Sequence, residues 1–202
     1  MKEEKILYVI VDFSKGEDKI MEVLKAGVDV IQLREKNCNS REYLEKALRL
    51  REITRKYSTT FIINDRLDIA LLADADGVHL GQEDIPVEKA RQVLGEHKII
   101  GATAKTKEQA ILAQQQGANY IGTGAWFPSN TKKDATPLSL ETYEQIIAGT
   151  TIPNVAVGGI TLDNCHIPLE NKAHGLAISS AILEAENIWE TVQGFRKYLN
   201  NK

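Results

Sequence analysis

The feature that most constrains the fold of this chain is a series of eight short apolar segments at regular intervals. Most are rich in Val and Ile, as is typical of parallel strands that are covered on both faces. They are residues 6–11, 28–33, 60–63, 77–80, 98–101, 119–122, 154–157 and 175–178. Their starts lie about 24 residues apart on average, which leaves room in each unit for one strand and one short helix.

The stretches between these segments show helical patterns. Residues 40–56 carry apolar side chains at i, i+3 and i+4 spacing, and we expect Ser40 to cap this helix. A second helix is predicted to begin after Thr106 and to end at Gly117. Residues 139–148 and 187–199 have the same character.

Eight consecutive strand–helix units are compatible with two α/β architectures, a closed barrel and an open doubly wound sheet. No unit marks the reversal of strand order that an open sheet requires, and no low-complexity linker divides the chain. The sequence therefore favours a single-domain TIM (β/α)8 barrel over residues 1–202.

Composition excludes several classes of protein. The chain has 202 residues, of which 43% are apolar and 26% are charged, which is unlike disordered or collagen-like chains. Its net charge of −3 predicts no nucleic-acid or membrane partner, and the run 6–11 is too short to cross a bilayer. Cys38 and Cys165 lie far apart and make no metal-type pair. Since no export signal is recognised, we expect a cytoplasmic protein with free thiols.

The first candidate site residues follow the second strand. If the extended backbone continues, Gln32, Arg34 and Lys36 lie on one face. An Arg fork and a Lys point charge together suit a pyrophosphate group. Alternatively, this is a solvated strand end with Glu35 as the counter-charge.

Acidic residues follow the third and fourth strands. Asp65, beside Asn64, and Asp84 could converge on Mg²⁺, which binds one or two carboxylates together with water and substrate phosphates. Alternatively, Asp65 caps a helix over residues 66–72 and Asp84 closes a turn before Pro86. We expect His79, in the middle of its strand, to support the core or the site rather than to be catalytic.

The long polar stretch 122–133 is a candidate functional loop. Ser129, Thr131 and Lys132 can all donate to phosphate oxygens, although a surface lid without a ligand is the alternative. We expect Trp126 to anchor the loop.

The last two strands are followed by Gly158-Gly159 and by Ser179-Ser180. In barrel enzymes the loops at these positions often bind phosphate through backbone N–H groups, and glycine lets the anion approach closely. The sequence predicts a phosphate site here.

Seven stretches in this order resemble the thiamine phosphate synthase family. They are Leu7 to Asp12, Ile31 to Lys36, Ile63 to Arg66, Ala75 to Asp84, Pro128 to Lys133, Val157 to Ile160 and Ser180 to Ile182. Each is weak alone, but together they run from the first strand to the eighth.

The resemblance implies a TIM barrel transferase that joins 4-amino-5-hydroxymethyl-2-methylpyrimidine diphosphate to a thiazole phosphate and releases pyrophosphate with the help of Mg²⁺. It implies metal ligation by Asp65 and Asp84. It assigns the pyrimidine diphosphate to Gln32, Arg34, Lys36, Asn64, Thr103 and Lys132. It assigns the thiazole phosphate to Ser129, Asn130, Thr131, Gly159, Ser179 and Ser180. Among these, Arg34, Lys36, Thr103 and Lys132 would stabilise the leaving group.

The chain departs from the family pattern at several positions. Thr103 and Lys105 stand where the family usually has Ser and His, and Ser129 stands where Thr is usual, so both hydroxyls are kept. Ala125 and Trp126 replace a Pro and an aliphatic residue. The segment 163–174, which contains Pro168, predicts a distorted seventh helix.

Two other functions remain open from the sequence. A thiazole tautomerase would share the phosphate site but would need no Mg²⁺ and no diphosphate site. A non-catalytic barrel that binds a phosphate ligand would need the Gly158-Gly159 and Ser180 loops but not the acidic pair. The presence of Asn64-Asp65, Asp84, Arg34, Lys36 and Lys132 favours the synthase.

Overall fold

A computed structural model of the chain describes residues 5–128 and 136–200. Its eight parallel strands form a closed barrel in which each strand pairs with the next and β8 pairs with β1. The strands are β1 (Ile6–Val11), β2 (Val30–Leu33), β3 (Thr60–Asn64), β4 (Gly77–Leu80), β5 (Ile99–Ala104), β6 (Tyr120–Gly124), β7 (Asn154–Val157) and β8 (Gly175–Ile178). The expected TIM barrel is confirmed, and the open sheet is excluded.

Helices follow the strands around the barrel. They are α1 (Glu17–Lys25), α2 (Ser40–Thr54), α3 (Leu67–Leu72), α4 (Val87–Leu94), α5 (Lys107–Gln115), α6 (Leu140–Ala148), α7 (His166–Glu170), α8 (Ser180–Leu183) and α9 (Ile188–Asn200), with a 3₁₀ turn at Phe13–Lys15. None of the helices in the described ranges is long and apolar enough to cross a membrane.

Strand alternation divides the apolar residues into two cores. On β1, Leu7 and Val9 face outward and join the large core beneath the helices, which is nearly inaccessible to solvent. Tyr8 faces inward and packs with Val155 and Ala177 in a small core inside the barrel. Both faces of β1 are therefore covered, which explains its near-continuous apolar sequence.

Two glycines make room for large side chains inside the barrel. A Cβ on Gly101 would lie 2.1 Å from Cζ of Tyr120, and a Cβ on Gly122 would lie 3.0 Å from Cε1 of His79. Gly101 is therefore needed for the close approach of Tyr120, Gly122 relieves a tight contact with His79, and the two rings fill the space that results.

Helix starts agree with the expected caps in part. Thr106 caps α5 by accepting a hydrogen bond from the N–H of Gln109, as predicted. For α2 the prediction was wrong by one residue. Asn39, not Ser40, is the cap, and it forms a reciprocal capping box with Glu42.

The seventh helix, predicted from the sequence to be distorted, is short. It spans only His166–Glu170, with Pro168 in its first turn, where a missing N–H donor is tolerated.

At the amino end of the barrel, a polar side chain before a strand braces the preceding strand. In each of three cases the side chain accepts a hydrogen bond from a strand N–H and at least one more from an Arg on a helix. The three sets are Asp29 with Leu7 and Arg196, Asp76 with Phe61 and Arg51, and Asn119 with Ile100 and Arg91. Buried strand N–H groups at this end are thus satisfied.

Candidate active site

Gln32, Arg34 and Lys36 were expected to lie on one face of an extended segment, but only Gln32 lies within β2. Gln32 is 3% exposed and faces the barrel interior, where its Nε2 donates to the hydroxyl of Tyr8 at 2.7 Å. The strand ends at Leu33, so strand alternation does not continue to Lys36, which is exposed in the following loop. Arg34 lies just beyond the strand and is half-buried.

Glu35 is not positioned as a counter-charge for this cluster alone. Its carboxylate accepts hydrogen bonds from the N–H of Phe13 and from Nζ of Lys46, both at 2.8 Å. The Glu35 side chain is only 7% exposed. The Arg34 charge acts instead near Asp65, where it partly offsets the burial and the Asp84 carboxylate that raise the pKa of Asp65.

Asp65 and Asp84 come together at the carboxyl end of the barrel, although 18 positions separate them in the sequence. Asp84 lies close enough to Asp65 for its side chain and its charge to act on the Asp65 carboxyl group. Desolvation first, and then Asp84, raise the pKa of Asp65 to about 6, against the smaller opposing effects of Arg34 and Asn64. Two carboxylates in contact repel each other when both are ionised, which a bound cation would relieve.

The alternative roles of the two acids have different outcomes. Asp65 does not cap the next helix: α3 begins after Arg66 and has no side-chain cap. Its backbone has φ of +63°, and its N–H donates to the carbonyl of His79. Asp84 does close a turn, since Oδ2 accepts from the N–H of Gly81 at 2.6 Å.

Thr103 lies within β5, because this strand runs further than the sequence predicted. Its hydroxyl contacts Nε2 of His79 at 3.0 Å, and its carbonyl accepts a hydrogen bond from the side-chain amide of Gln82. Burial lowers the pKa of His79 to about 4, so this imidazole is neutral at physiological pH. Asn64 is the last residue of β3, beside Asp65.

The first part of the β6–α6 loop packs on the loop that follows β7. Phe127 donates its N–H to the carbonyl of Gly158 at 3.0 Å. Gly159 has φ of +65°, and a Cβ there would lie 2.5 Å from the carbonyl oxygen of Pro128. The structure therefore supplies a second reason for this glycine, loop packing, besides the expected approach of an anion.

Trp126 anchors the loop, in agreement with the sequence-based expectation. Its ring packs edge-on against Tyr143, with ring centroids 4.5 Å apart. The expected phosphate ligands Ser129, Asn130, Thr131 and Lys132 lie outside the described residues.

Ser179 lies between β8 and α8, Ser180 is the first residue of α8, and both are half-buried. The carbonyl of Ser179 accepts hydrogen bonds from the N–H groups of Ile182 and Leu183, so the chain turns sharply at this position. Both serines, like Gly159, follow strands at the carboxyl end of the barrel, as expected from the sequence.

Sequence reasoning missed two residues of the barrel interior, Tyr8 and Tyr120. Their hydroxyls are 2.9 Å apart, and that of Tyr120 also contacts Nδ1 of His79 at 3.0 Å. A usable signal was present. Both are hydroxyl-bearing aromatic residues in strands, where a buried hydroxyl needs a hydrogen-bonding partner.

Comparison with known proteins identifies the family. A family model described as "Thiamine monophosphate synthase" matches residues 7–182, which is most of the chain. The chain belongs to this family. The predicted resemblance is therefore confirmed over the whole barrel, from β1 to α8.

Relatives of the thiamine monophosphate synthase family are similar along nearly their full length. The thiamine-phosphate synthase of Clostridioides difficile is 47% identical over 93% of this chain and 91% of its own. That of Methanobrevibacter smithii is 45% identical over 90% of this chain and 88% of its own. A solved thiamine phosphate pyrophosphorylase from Pyrococcus furiosus has a TM-score of 0.88 and 38% identity, covering 98% of this chain and 96% of the other.

These matches confirm the expected enzyme class, a transferase of thiamine biosynthesis. A solved 3-hexulose-6-phosphate synthase has a TM-score of 0.71 at 14% identity, which shows a shared fold alone.

Proposed function

We propose that the carboxyl end of the barrel binds two phosphorylated substrates side by side and joins them. The pyrimidine diphosphate lies over β2 to β5, and the thiazole phosphate lies over the loops after β7 and β8. The observation that carries this proposal is the contact between Asp65 and Asp84 beside Arg34, because it brings metal-type acids and a phosphate-type cation to one rim.

The leaving diphosphate is the group that this rim is suited to stabilise. As the bond to the exocyclic CH₂ of the pyrimidine breaks, negative charge grows on the diphosphate, and the aminopyrimidine ring delocalises the positive charge. Arg34 and Lys36 stabilise the growing negative charge, and the Thr103 hydroxyl donates a hydrogen bond to the diphosphate. Lys132 is assigned to the same role from the sequence.

Mg²⁺ fits the donor set of Asp65 and Asp84. In the described ranges, no group of three or more His, Cys, Asp or Glu side chains could hold a metal ion. A hard cation with two carboxylates, completed by water and substrate phosphate, needs no third such side chain. When bound, the ion supplies Lewis-acid stabilisation of phosphate oxygens.

The thiazole phosphate is assigned to Gly159, Ser179 and Ser180, together with Ser129, Asn130 and Thr131. Holding its phosphate there aims the thiazole nitrogen at the pyrimidine CH₂, and orientation of this kind contributes several kcal/mol. The nitrogen then forms the new C–N bond as the diphosphate departs. No nucleophilic side chain is required, so the neutral His79 need not act as a base.

The test is a two-substrate assay for thiamine phosphate, with and without Mg²⁺. We expect product only when both substrates and the metal are present. Absence of product with every divalent metal tried would contradict the synthase, and conversion of the thiazole alone would favour the tautomerase.

A second measurement tests the thiazole site alone. We expect the thiazole phosphate to raise the melting temperature and the dephosphorylated thiazole to raise it less, since the phosphate provides the main contacts. Equal shifts would contradict the assigned phosphate site.

The cytoplasmic location stays a prediction from the sequence.

A further inference from the structure

A continuous chain of hydrogen bonds crosses the barrel interior from β2 to β5. Nε2 of Gln32 donates to the Tyr8 hydroxyl at 2.7 Å, and the hydroxyls of Tyr8 and Tyr120 are 2.9 Å apart. The Tyr120 hydroxyl is 3.0 Å from Nδ1 of His79, whose Nε2 is 3.0 Å from Oγ1 of Thr103. Both ends of the chain are candidate substrate contacts, whereas the three residues between them have no assigned role.

The direction of donation follows from counting protons. Each tyrosine hydroxyl has one proton, and Tyr8 already accepts from Gln32. Tyr8 is only 2% exposed, so its own proton needs an acceptor within the protein. Within the described ranges, the Tyr120 oxygen is the partner that the Tyr8 hydroxyl has besides Gln32.

The remaining bonds then have one consistent arrangement. The oxygen of Tyr120 accepts from Tyr8, so its proton goes to Nδ1 of His79. An imidazole that accepts at Nδ1 carries its proton on Nε2, and this N–H donates to Oγ1 of Thr103. The proton of the Thr103 hydroxyl is not used within this series of hydrogen bonds and can be donated to another group.

We propose that Tyr8, Tyr120 and His79 are positioning residues that hold the Thr103 hydroxyl as a hydrogen-bond donor toward the substrate diphosphate. The proposal rests on the proposed function for the identity of that substrate. The opposite direction of donation would use the Thr103 proton at Nε2 of His79 and would leave a buried Tyr8 proton without an acceptor. An anionic substrate needs a donor at this point, so the direction determines whether Thr103 helps or hinders binding.

The packing of the barrel fixes the rings in this arrangement. A Cβ on Gly101 could not be accommodated beside Tyr120, and a Cβ on Gly122 would be in tight contact with His79. The Tyr120 ring lies 6.0 Å from that of Tyr8 and 5.5 Å from that of His79, measured between centroids. The hydroxyls therefore cannot easily exchange partners by ring movement.

The first test reads the tautomer of His79 directly by ¹⁵N NMR of the ring nitrogens in the substrate-free protein. We expect a protonated Nε2 and an unprotonated Nδ1. The reverse tautomer would overturn the proposal. Because this measurement needs no turnover, it separates failure of the proposal from failure of the proposed function.

The second test is a double-mutant cycle between Tyr120 and Thr103. Tyr120→Phe removes the proton donated to Nδ1, which frees His79 to take the Thr103 proton. We expect kcat/KM for the pyrimidine diphosphate to fall roughly tenfold, while KM for the thiazole phosphate stays within about twofold. In a Thr103→Val background, the same change should have no further effect, and Thr103→Ser should retain the wild-type response.

Equal losses for Tyr120→Phe in both backgrounds would overturn the proposal, because they would show that Tyr120 acts independently of Thr103. The matched control is Tyr143→Phe, which removes another buried hydroxyl, one bonded to Asn154 at 2.8 Å. We expect it to reduce stability without changing either KM. If Tyr120→Phe does not fold, the His79 tautomer decides the question.

Discussion

At the amino end of the barrel, Asp76 bonds Arg51 and the N–H of Phe61, whereas at the carboxyl end Asp65 contacts a second carboxylate, that of Asp84. An aspartate at the amino end thus has an Arg and an N–H as partners, whereas an aspartate at the carboxyl end faces another acid. An acid with hydrogen-bonding and charged partners stabilises the fold, whereas two neighbouring carboxylates repel each other unless a cation binds between them. The difference separates the end of this barrel that holds it together from the end that is suited to bind ligands.

The largest effect should come from breaking the carboxyl end. Asp84→Ala removes one proposed metal ligand, and we expect turnover to fall roughly 100-fold or more with the melting temperature nearly unchanged. The matched control is Glu83→Ala, which removes an exposed neighbouring acid. Full activity of Asp84→Ala would remove Asp84 from the metal site.

Breaking the amino end should have the opposite profile. Asp76→Ala leaves the N–H of Phe61 and the mostly buried Arg51 without a carboxylate, and we expect a loss of about 2 kcal/mol in the free energy of unfolding, with kcat unchanged. Urea denaturation measures this loss. Asp74→Ala, at a side chain that is 64% exposed, should lose less than about 0.5 kcal/mol. Comparable losses would contradict the bracing role of Asp76.

The smallest effect concerns pH. The pKa of Asp65 is raised in the folded state to about 6, so the folded protein binds more protons than the unfolded chain, and metal-free stability should fall as pH rises toward and through 6. Asp65→Asn removes this effect and suits φ of +63°. Solvent at the rim screens the repulsion, so we expect a gain of only about 0.5–1 kcal/mol at pH 8, and less at pH 4.5.

Thermal melts with a chelator at both pH values measure that gain, and activity should be lost in the same variant. The control is Asp68→Asn, where the sign reverses because Arg66 lowers the pKa of Asp68. That variant should be less stable than the wild type at pH 8. A stability gain for Asp65→Asn that is equal at both pH values would show that its backbone, not its charge, is responsible.

Much of the fold was predictable because its signals are local. The apolar runs of the strands and the Thr106 cap depend on residues near one another in sequence. The boundaries were less predictable. The cap of α2 shifted from Ser40 to Asn39, since only the folded loop shows which side chain reaches Glu42.

The residue types of the site were predictable from the sequence, but the contacts between them were not. Asp65 and Asp84 were recognisable as acids that follow neighbouring strands, but their contact and the raised pKa of Asp65 depend on burial that a sequence does not show. Tyr8 and Tyr120 were missed because each reads as one more apolar strand residue. Their hydroxyls come into contact only because barrel closure places β1 and β6 on opposite sides of the same interior.

The sequence by itself determined the barrel, the family resemblance and the residue types at its carboxyl end, because strand period and motif order are written along the chain. The tertiary structure alone decided which groups touch. Closing the barrel brings Asp65 against Asp84 and joins Gln32 to Thr103 through three side chains from other strands. Those contacts join residues distant in sequence, and their hydrogen bonds and charges depend on distances of a few ångströms that only packing sets.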